Sequence, residues 1–591
     1  MFIKKYLNLI IVSILALAFF IATASFSFYS QTKDYIKWSS PDETANYFFT
    51  KEFSTTGQLS FFDKANLFGD NSVIPRSVRS DSGWVKPVSF LGIILIYGNL
   101  AAIFGTQIIP FLTPFFAAWG IVFFYLIIKR LFSDRVALWS AFLLASFPVY
   151  IYYAVRSMFH NVLFIVLLLI GVYLFALALG KKLEKIKTKF LSLSLPKSRY
   201  WEFIATLSSG LFFGLAVITR TSELIWLAPA MLIIYLFYAR RLGLSKLFLF
   251  LAGFIFALVP VAYYNQIIYN YFWHGGYNEM NRSLNNIIVS GNDLWRSAWS
   301  GKFNYYHGYL NQILKSIFYF GFNFKQSLIM FGHYVYEMFS PIFWGGMLGL
   351  VFLIGQNFRH YKKKYLVYVL IWLLISSILV FYYGSWKFND NPDLSQFTIG
   401  NSYTRYWLPL YLGLLPLFAL AVVHLSRALI VNLKIRLSFK KIIITGLQFL
   451  VIFTISLCSI SFVLYGSSEG LVYLYNNNKI EEINTKTVWS LTEPEAIIIT
   501  QRYDKFFWPE RRVIMGMISD EQILKEASKL VNYYPIYYYN FYLNLADLNY
   551  LNERKLSPYN LQISEVKKLN VKFGLYKLNS NAMTTPSNNY E

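Results

Sequence analysis

Near its start the chain reads KKYLNLIIVSILALAFFIATASFSF over residues 4–28 and SSPDETANYF over residues 39–48. The first stretch is apolar from Leu7 to Phe28, which is long enough for a membrane-spanning helix of about 20 residues. A signal peptide cleaved at Ala22-Thr23-Ala24 is the alternative, but its apolar region would be only about 7–15 residues long. The pattern therefore favours a retained anchor, followed outside the membrane by two adjacent acidic residues.

The composition of the whole chain indicates a polytopic membrane protein. Of its 591 residues, 56% are hydrophobic and only 14% are charged, against about 25% charged residues in soluble domains. The mean hydropathy is +0.43, which excludes a water-soluble or disordered chain because so much apolar surface must be covered. The single cysteine, Cys458, excludes an intramolecular disulfide and a cysteine-based metal site.

Further apolar stretches raise the predicted number of transmembrane helices to about 11. They cover approximately residues 109–128, 136–153, 160–179, 202–219, 223–239, 247–268, 341–358, 365–384, 404–425 and 442–464. Basic segments separate them at 129–135, 180–201, 240–246, 359–364 and 426–441. Because cytoplasmic loops are enriched in Lys and Arg, these segments and the N-terminus are predicted to be cytoplasmic.

The net charge of +24 is explained by this topology. Of the 54 Lys and Arg residues, 24 fall in the N-terminus and the predicted cytoplasmic segments, among them Lys129-Arg130 and Lys181-Lys182. The charge therefore reports the orientation of the protein in a cell membrane, and no nucleic-acid partner is expected. Membrane lipids are the partners that this charge pattern predicts.

The number of spans, odd or even, determines on which side of the membrane each later segment lies. If residues 88–105 crossed the membrane, every later basic loop would lie outside, so they are predicted to form a helix in the outer interface. The external regions are then the loops 29–108 and 269–340 and the tail. Residues 1–465 form the predicted membrane domain, and residues 466–591 form a small extracytoplasmic α/β domain.

The tail has the pattern of a soluble α/β fold. Strands are predicted at Ala496–Thr500, Arg512–Ile518 and Val571–Leu578. A helix from Asp520 to Leu530 is predicted to be capped by Ser519, with Gln522 completing a capping box. The tyrosine-rich run 533–539 is attributed to compositional bias and interfacial belts, with stacking on sugars as the alternative.

The acidic pair Asp42 and Glu43 is the first candidate for chemistry. A carboxylate at the outer membrane surface can act as a general base on a hydroxyl group while its neighbour orients the acceptor. The alternative is a helix N-terminus, where the helix dipole favours acidic residues. Spacing alone slightly favours the helix N-terminus.

Several motifs resemble those of GT-C glycosyltransferases, most closely the group of protein O-mannosyltransferases (family 39) and lipid A aminoarabinose transferases. The motifs occur in the matching order over residues 1–430. They are the Pro-Asp-Glu-x-Ala-x-Tyr-Phe run at 41–48 followed by Gly57, Lys86-Pro87-Val88 with Ile103-Phe104-Gly105, Tyr153-Ala154-Val155-Arg156, Gly214-Leu215-Ala216-Val217-Ile218-Thr219-Arg220, and Thr404-Arg405-Tyr406-Trp407-Leu408-Pro409.

The resemblance implies an inverting transfer of a sugar from a polyprenyl-phosphate donor to a protein, lipid or glycan. Asp42 would be the general base with Glu43 beside it, and no cofactor is implied. The donor phosphate would be bound by Lys86, Arg156, Arg220 and Arg405, because Arg grips phosphate bidentately and Lys acts as a point charge. For these four residues, lipid-headgroup anchoring is the alternative.

Two departures from the group's motifs leave the sugar and the acceptor open. His160-Asn161 stands where the aminoarabinose transferases have an Asp, and Val88 replaces the second Pro of Lys-Pro-Pro. His160, Asn161 and Tyr47 are the candidate contacts to sugar or acceptor. The tail also does not resemble the β-trefoil insert of the eukaryotic mannosyltransferases.

Other chemistry is weighed against this hypothesis. His333 and Glu337 have metal-ligand spacing, but no third ligand is evident, and Asp390 and Asp393 are better explained as residues of a solvated loop. An oligosaccharyltransferase or glycan ligase with a diphosphate-linked donor would need such a metal. A lipid or solute transporter would place strong charges deep in the spans, whereas here most of them lie at span ends.

Overall fold

The computed structural model describes residues 2–32, 34–179, 199–272, 321–359, 362–388, 390, 395–431, 436–466 and 468–581. The predicted loop residues Lys181-Lys182, most of the external loop 269–340, and Asp393 lie outside this part of the chain. The helices are Phe2–Ser30, Pro41–Thr56, Ala65–Phe68, Leu91–Phe104, Ile109–Leu131, Asp134–Ser146, Pro148–Val155, His160–Ala178, Arg199–Thr219, Leu224–Tyr269, Phe324–Phe331, Ser340–Arg359, Lys363–Gly384, Ser402–Tyr406, Leu408–Val431, Leu437–Tyr465, Leu471–Leu491, Asp504–Phe507, Glu521–Leu530 and Leu545–Tyr550.

Long apolar helices confirm a polytopic helical membrane protein. Within the described residues, eight helices are long and apolar enough to cross a membrane, and there are ten such elements if each of two bent pairs counts as one span. The longest, Thr221–Tyr269, has 49 residues and is broken at Gly243, whose φ is 64°. At about 1.5 Å per residue it is more than twice the length needed to span a bilayer. Division at Gly243 gives the predicted total of about 11.

The bent pairs have local causes. Asp134–Ser146 and Pro148–Val155 meet at 51°, where Phe147 is extended and Pro148 starts a new helix. Phe324–Glu337 and Ser340–Gln356 meet at 95°. The predicted span 404–425 also starts with a break, because the short helix Ser402–Tyr406 ends at Trp407 before the long helix begins.

The apolar stretch 88–105 forms the helix Leu91–Phe104. Its 14 residues extend over about 21 Å, short of the roughly 30 Å of a bilayer core. Gly98 allows this helix to pack closely on the acidic helix Pro41–Thr56, because a Cβ at Gly98 would lie 2.5 Å from the ring of Phe53. Its length agrees with a helix that does not span.

The chain forms two compact units. The first contains Met1–Ser27, Pro110–Tyr263 and Ile288–Tyr473, and it holds the long apolar helices. Glycines bring these helices into backbone contact: a Cβ at Gly210 would lie 1.9 Å from the carbonyl oxygen of Phe250, and one at Gly349 would lie 1.8 Å from that of Leu417. Such close approach through small residues is typical of packed transmembrane helices.

The second unit contains Phe28–Ile109, Tyr264–Ile287 and Leu474–Glu591. It holds a small antiparallel sheet of β1 (Phe61–Phe62), β2 (Val78–Asp81) and β3 (Trp84–Pro87), in the order β1-β3-β2. The second sheet has five strands in the order β5-β4-β6-β8-β7. These are β4 (Ile497–Thr500), β5 (Arg512–Met515), β6 (Ile536–Phe541), β7 (Leu561–Lys568) and β8 (Phe573–Ser580).

The five-stranded sheet confirms the predicted α/β tail. The three predicted strands are present as β4, β5 and β8, with β4 parallel to β5 and to β6. The interpretation of the tyrosine run as an interfacial belt was wrong, because Tyr537, Tyr538 and Tyr539 are buried in β6, between β4 and β8. The predicted Ser519 cap was also wrong: Asp520 caps the helix by accepting from the backbone N–H of Gln522 at 3.0 Å.

The core of this sheet uses residues from the first external loop as well as the tail. Ala65 and Val73 are buried among Ile497, Ile499 and Leu530. Arg512 also donates to Asp63 at 3.0 Å. The loop and the tail are therefore parts of one folded unit, although more than 400 residues of sequence separate them.

Candidate functional site

The acidic pair lies in the first turn of the helix Pro41–Thr56, with Pro41 at its first position. Glu43 is fully buried, whereas Asp42 is half-buried. Asp42 accepts a hydrogen bond from the hydroxyl of Ser77 through Oδ1, and among the described residues its Oδ2 accepts none. Of the two carboxylates, Asp42 is therefore the one that a substrate can reach.

Tyr47 lies one helical turn beyond this pair. Its ring packs on Trp38 at 4.6 Å between centroids. Burial raises the pKa of Tyr47 to about 12, and the charge of Glu510 acts in the same direction. The phenol is therefore neutral at physiological pH, a state in which it can donate a hydrogen bond.

Lys86 lies on β3 in the same unit. Its ammonium pairs with Asp81 at 2.5 Å and donates to the carbonyl of Ile268 at 3.2 Å. Asp81 also accepts from Arg79 at 2.5 Å, so two cations share one carboxylate. Ser77, the partner of Asp42, immediately precedes β2, whose first residue pairs with the residue after Lys86. The structure thus brings Asp42 and Lys86 into one neighbourhood.

Arg156 and Arg405 converge in the first unit. The guanidinium carbons lie 4.8 Å and 4.2 Å from the centre of the same ring, that of Phe159, so they are no more than about 9 Å apart. Arg156 donates to the hydroxyl of Tyr152 at 3.3 Å, and Arg405 donates to that of Ser402 at 2.8 Å. Both of these acceptors are uncharged hydroxyl groups.

Arg220 joins the same group through a second ring. Its guanidinium lies 4.5 Å from the centre of the Tyr406 ring, and that of Arg405 lies 5.1 Å from it. Arg220 is buried and bonded to Glu223 at 2.8 Å and to the hydroxyl of Tyr383 at 3.0 Å. Glu223 therefore offsets the charge of Arg220.

Neighbouring polar side chains hold this group in place. Asn161 is buried and donates to the backbone carbonyl of Arg405 at 3.2 Å. The hydroxyl of Tyr153 lies 3.2 Å from that of Thr404. His160 is buried at the start of the same helix as Asn161. Asn161 is therefore bonded to the backbone of Arg405, and its contact to sugar or acceptor stays a prediction.

The candidate metal ligands have other partners. Asp390 accepts from the backbone N–H of Ser402 at 2.7 Å, at the start of the helix Ser402–Tyr406. His333 lies 2.7 Å from Glu337 and stacks on Phe397. Among the described residues no three His, Cys, Asp or Glu side chains form a group that could hold a metal ion.

Three contributors to the arginine group were missed from sequence. Phe159 and Tyr406 are the rings that connect the arginines, and Glu223 is the buried counter-charge of Arg220. The i,i+3 spacing of Arg220 and Glu223 is a signal that would have revealed the ion pair. The sequence does not distinguish Phe159 and Tyr406 from the other aromatic residues, because one residue in five of this chain is aromatic.

The amino-acid sequence matches no protein-family profile, and no curated protein matches it. Solved structures do match. The oligosaccharyltransferase of Archaeoglobus fulgidus in the apo form is 14% identical with a TM-score of 0.52, over 91% of this chain and 70% of that one. Its complex with Zn and sulfate is 12% identical with a TM-score of 0.52, over 94% and 68% of the two chains.

ArnT from Cupriavidus metallidurans bound to undecaprenyl phosphate is 12% identical, with a TM-score of 0.49 over 97% of this chain and 98% of that one. The likeness to the oligosaccharyltransferase shows that the chain has the fold of that enzyme, in agreement with the fold that the sequence motifs imply. At this level of identity the likeness concerns the fold, so activity must be argued from the residues.

Proposed function

We propose that this protein is a membrane-embedded glycosyltransferase that uses a polyprenyl-phosphate sugar at the extracytoplasmic face. The observation that carries the proposal is the convergence of Arg156, Arg220 and Arg405, which come from distant parts of the sequence, on the rings of Phe159 and Tyr406. Guanidinium groups are suited to phosphate because their fork of N–H donors matches its oxygens. Glu223 offsets the charge of Arg220, and Arg156 and Arg405 are both partly exposed.

In the proposed reaction a carboxylate removes a proton from the acceptor, and cationic side chains stabilise the leaving group. Asp42 takes the proton of an acceptor hydroxyl as that oxygen attacks the anomeric carbon of the sugar. The bond from this carbon to the lipid phosphate breaks, its electron pair leaves with the phosphate oxygen, and the configuration inverts. The arginines stabilise the charge that develops on the departing phosphate. Lys86 is assigned to the same anion, and Tyr47 and His160 to sugar or acceptor.

Asp42→Asn tests the proposed base. The full-length protein in lipid nanodiscs is given a panel of undecaprenyl-phosphate-linked hexoses together with a cell-envelope extract as acceptor. Release of undecaprenyl phosphate is then measured. We expect Asp42→Asn to slow release by about 100-fold or more, the usual range for a lost general base, while undecaprenyl phosphate still binds. Glu52→Gln, on the same helix, is the matched control and is expected to keep the wild-type rate. Near-normal turnover of Asp42→Asn would contradict the assignment.

A further inference from the structure

Ser77 has an unusual backbone conformation. It is not a glycine, yet its φ is 63°, in the left-handed region that most L-residues avoid. Such a conformation persists only where the surroundings determine it, and it is often found at functional positions. Here it accompanies the hydrogen bond from the Ser77 hydroxyl to Oδ1 of Asp42.

The preceding residue is held by the tail. Arg76 donates to the carboxylate of Asp504 from its backbone N–H at 2.9 Å and from Nη2 at 2.6 Å. The same Nη2 donates to the carbonyl of Arg502 at 3.0 Å. Asp504 is fully buried, whereas the Arg76 side chain is 36% exposed. The charge-assisted hydrogen bonds from both the backbone and the side chain of Arg76 hold this residue in one place.

The residue that follows Ser77 is also held. Val78 is fully buried, and it pairs with Pro87 at the end of the β2–β3 ladder. Ser77 is therefore constrained on both sides. Because its backbone has little freedom, the direction in which its hydroxyl points is constrained by the tail and by the small sheet.

The helix that carries Asp42 contacts the same tail segment. Lys505 donates to the carbonyl of Ser39 at 2.6 Å, and Thr44 donates to the carbonyl of Lys505 at 3.3 Å. The rings of Phe48 and Trp508 lie 4.3 Å apart. Both Asp42 and its hydrogen-bond donor are thus located relative to residues 502–508.

We infer that the tail orients the candidate base through the contact chain Asp504–Arg76–Ser77. Ser77 engages Oδ1 of Asp42, and this directs Oδ2 toward the incoming hydroxyl. Arg76 and Asp504 are positioning residues, since they act on Asp42 through Ser77. This inference rests on the proposed function, in which Asp42 takes the acceptor proton.

The test compares Ser77→Gly, Asp504→Asn and the double variant in the nanodisc release assay, with the donor that supports wild-type turnover. Glycine adopts a positive φ without strain, so Ser77→Gly removes the hydroxyl without threatening the fold. We expect each single variant to lower kcat by about 10-fold with an unchanged donor KM, because misplaced catalytic groups slow the reaction. The double variant should be no slower than the slower single variant.

Asp63→Asn is the matched control. It removes the partner of Arg512, another ion pair between the first external loop and the tail, without touching Ser77. We expect it to keep the wild-type kcat. An equal loss in this control would point to general loosening of the unit and overturn the inference.

The remaining outcomes separate the inference from the proposed function. If Asp42→Asn is inactive while Ser77→Gly and Asp504→Asn keep the wild-type kcat, the positioning chain is overturned and the base assignment stands. Losses that multiply in the double variant would also overturn the chain, because Asp504 would then act independently of Ser77. Normal turnover of Asp42→Asn would overturn both.

Discussion

Arg220 and Arg405 lie over the same ring, that of Tyr406, yet their surroundings differ. Arg220 is 4% exposed and is bonded to the buried carboxylate of Glu223. Arg405 is half-buried, stacks on Phe159 and donates to a hydroxyl group. The two arginines are alike in sequence, since each lies near the predicted outer end of a span. The difference shows that the almost completely buried arginine has a buried carboxylate beside it, whereas the partly exposed arginine lies over aromatic rings.

The physical reason is the cost of desolvating a charge. A guanidinium that is almost completely buried needs a counter-charge, and a carboxylate three residues away supplies it for Arg220. A half-exposed guanidinium can instead lie over aromatic rings, whose faces attract cations without neutralising them. We therefore propose that the partly exposed Arg156 and Arg405 are the main contacts to the phosphate, and that the buried Arg220 mainly supports Tyr383 and Tyr406.

The largest expected effect follows from breaking the Arg220–Glu223 pair. Glu223→Gln leaves Arg220 buried without its counter-charge, which costs about 3 kcal/mol or more in comparable pairs. We expect a clearly lower melting temperature of the purified protein in detergent. The double variant Arg220→Gln with Glu223→Gln should recover part of this loss, because no uncompensated charge remains. A wild-type melting temperature for Glu223→Gln would mean that the pair does not stabilise the fold.

A smaller effect is expected for the half-exposed arginine. Arg405→Ala should weaken the binding of undecaprenyl phosphate by about 30-fold, because a hydrogen bond to a charged group is worth about 2 kcal/mol. The measurement is a binding titration of the nanodisc-embedded protein. Arg427→Ala, which removes an exposed arginine from a predicted cytoplasmic segment, is the matched control and should bind normally. If Arg405→Ala binds undecaprenyl phosphate as tightly as the wild type, Arg405 is not part of the phosphate site, and the proposed difference in role between Arg405 and Arg220 is wrong.

The smallest expected effect concerns metal removal. Asp390 accepts from the first backbone N–H of the short helix that carries Arg405, and we assign it this structural role. Turnover of the polyprenyl-phosphate donor is therefore expected to survive EDTA treatment. A loss of turnover that added Mn²⁺ restores would instead show that a metal ion takes part, with Asp390 or Asp393 as its candidate ligand. The release assay described above measures both outcomes.

Much of the membrane fold was predictable because hydropathy is a local property. The apolar stretches reappear as long helices, and Leu91–Phe104 has the length of a non-spanning helix. The tyrosine-rich run 533–539 was wrongly interpreted as an interfacial belt because tyrosine is abundant throughout this chain. No local sequence feature indicates that Ile536–Phe541 forms the strand between β4 and β8. The cap at Asp520 was missed by one residue because Ser and Asp are both good N-caps.

The candidate site was predictable only in part. Arg156, Arg220 and Arg405 were identified from motifs, and Asp42 was identified from its place after the first span. Phe159 and Glu223 were not, since their roles depend on contacts that no single motif describes. Lys86 was assigned to phosphate without its partner Asp81, which lies across the turn between two strands.

By itself the sequence determined that this chain is a multi-pass membrane protein, which stretches form long apolar helices, and that Asp42 follows the first of them. These properties depend on the order of residues along the chain. Only the tertiary structure decided that Ser77 contacts Asp42, that Asp504 in the tail holds Arg76, and that three arginines share two rings. The reason is that these contacts join residues tens to hundreds of positions apart, and their geometry is set by packing between elements.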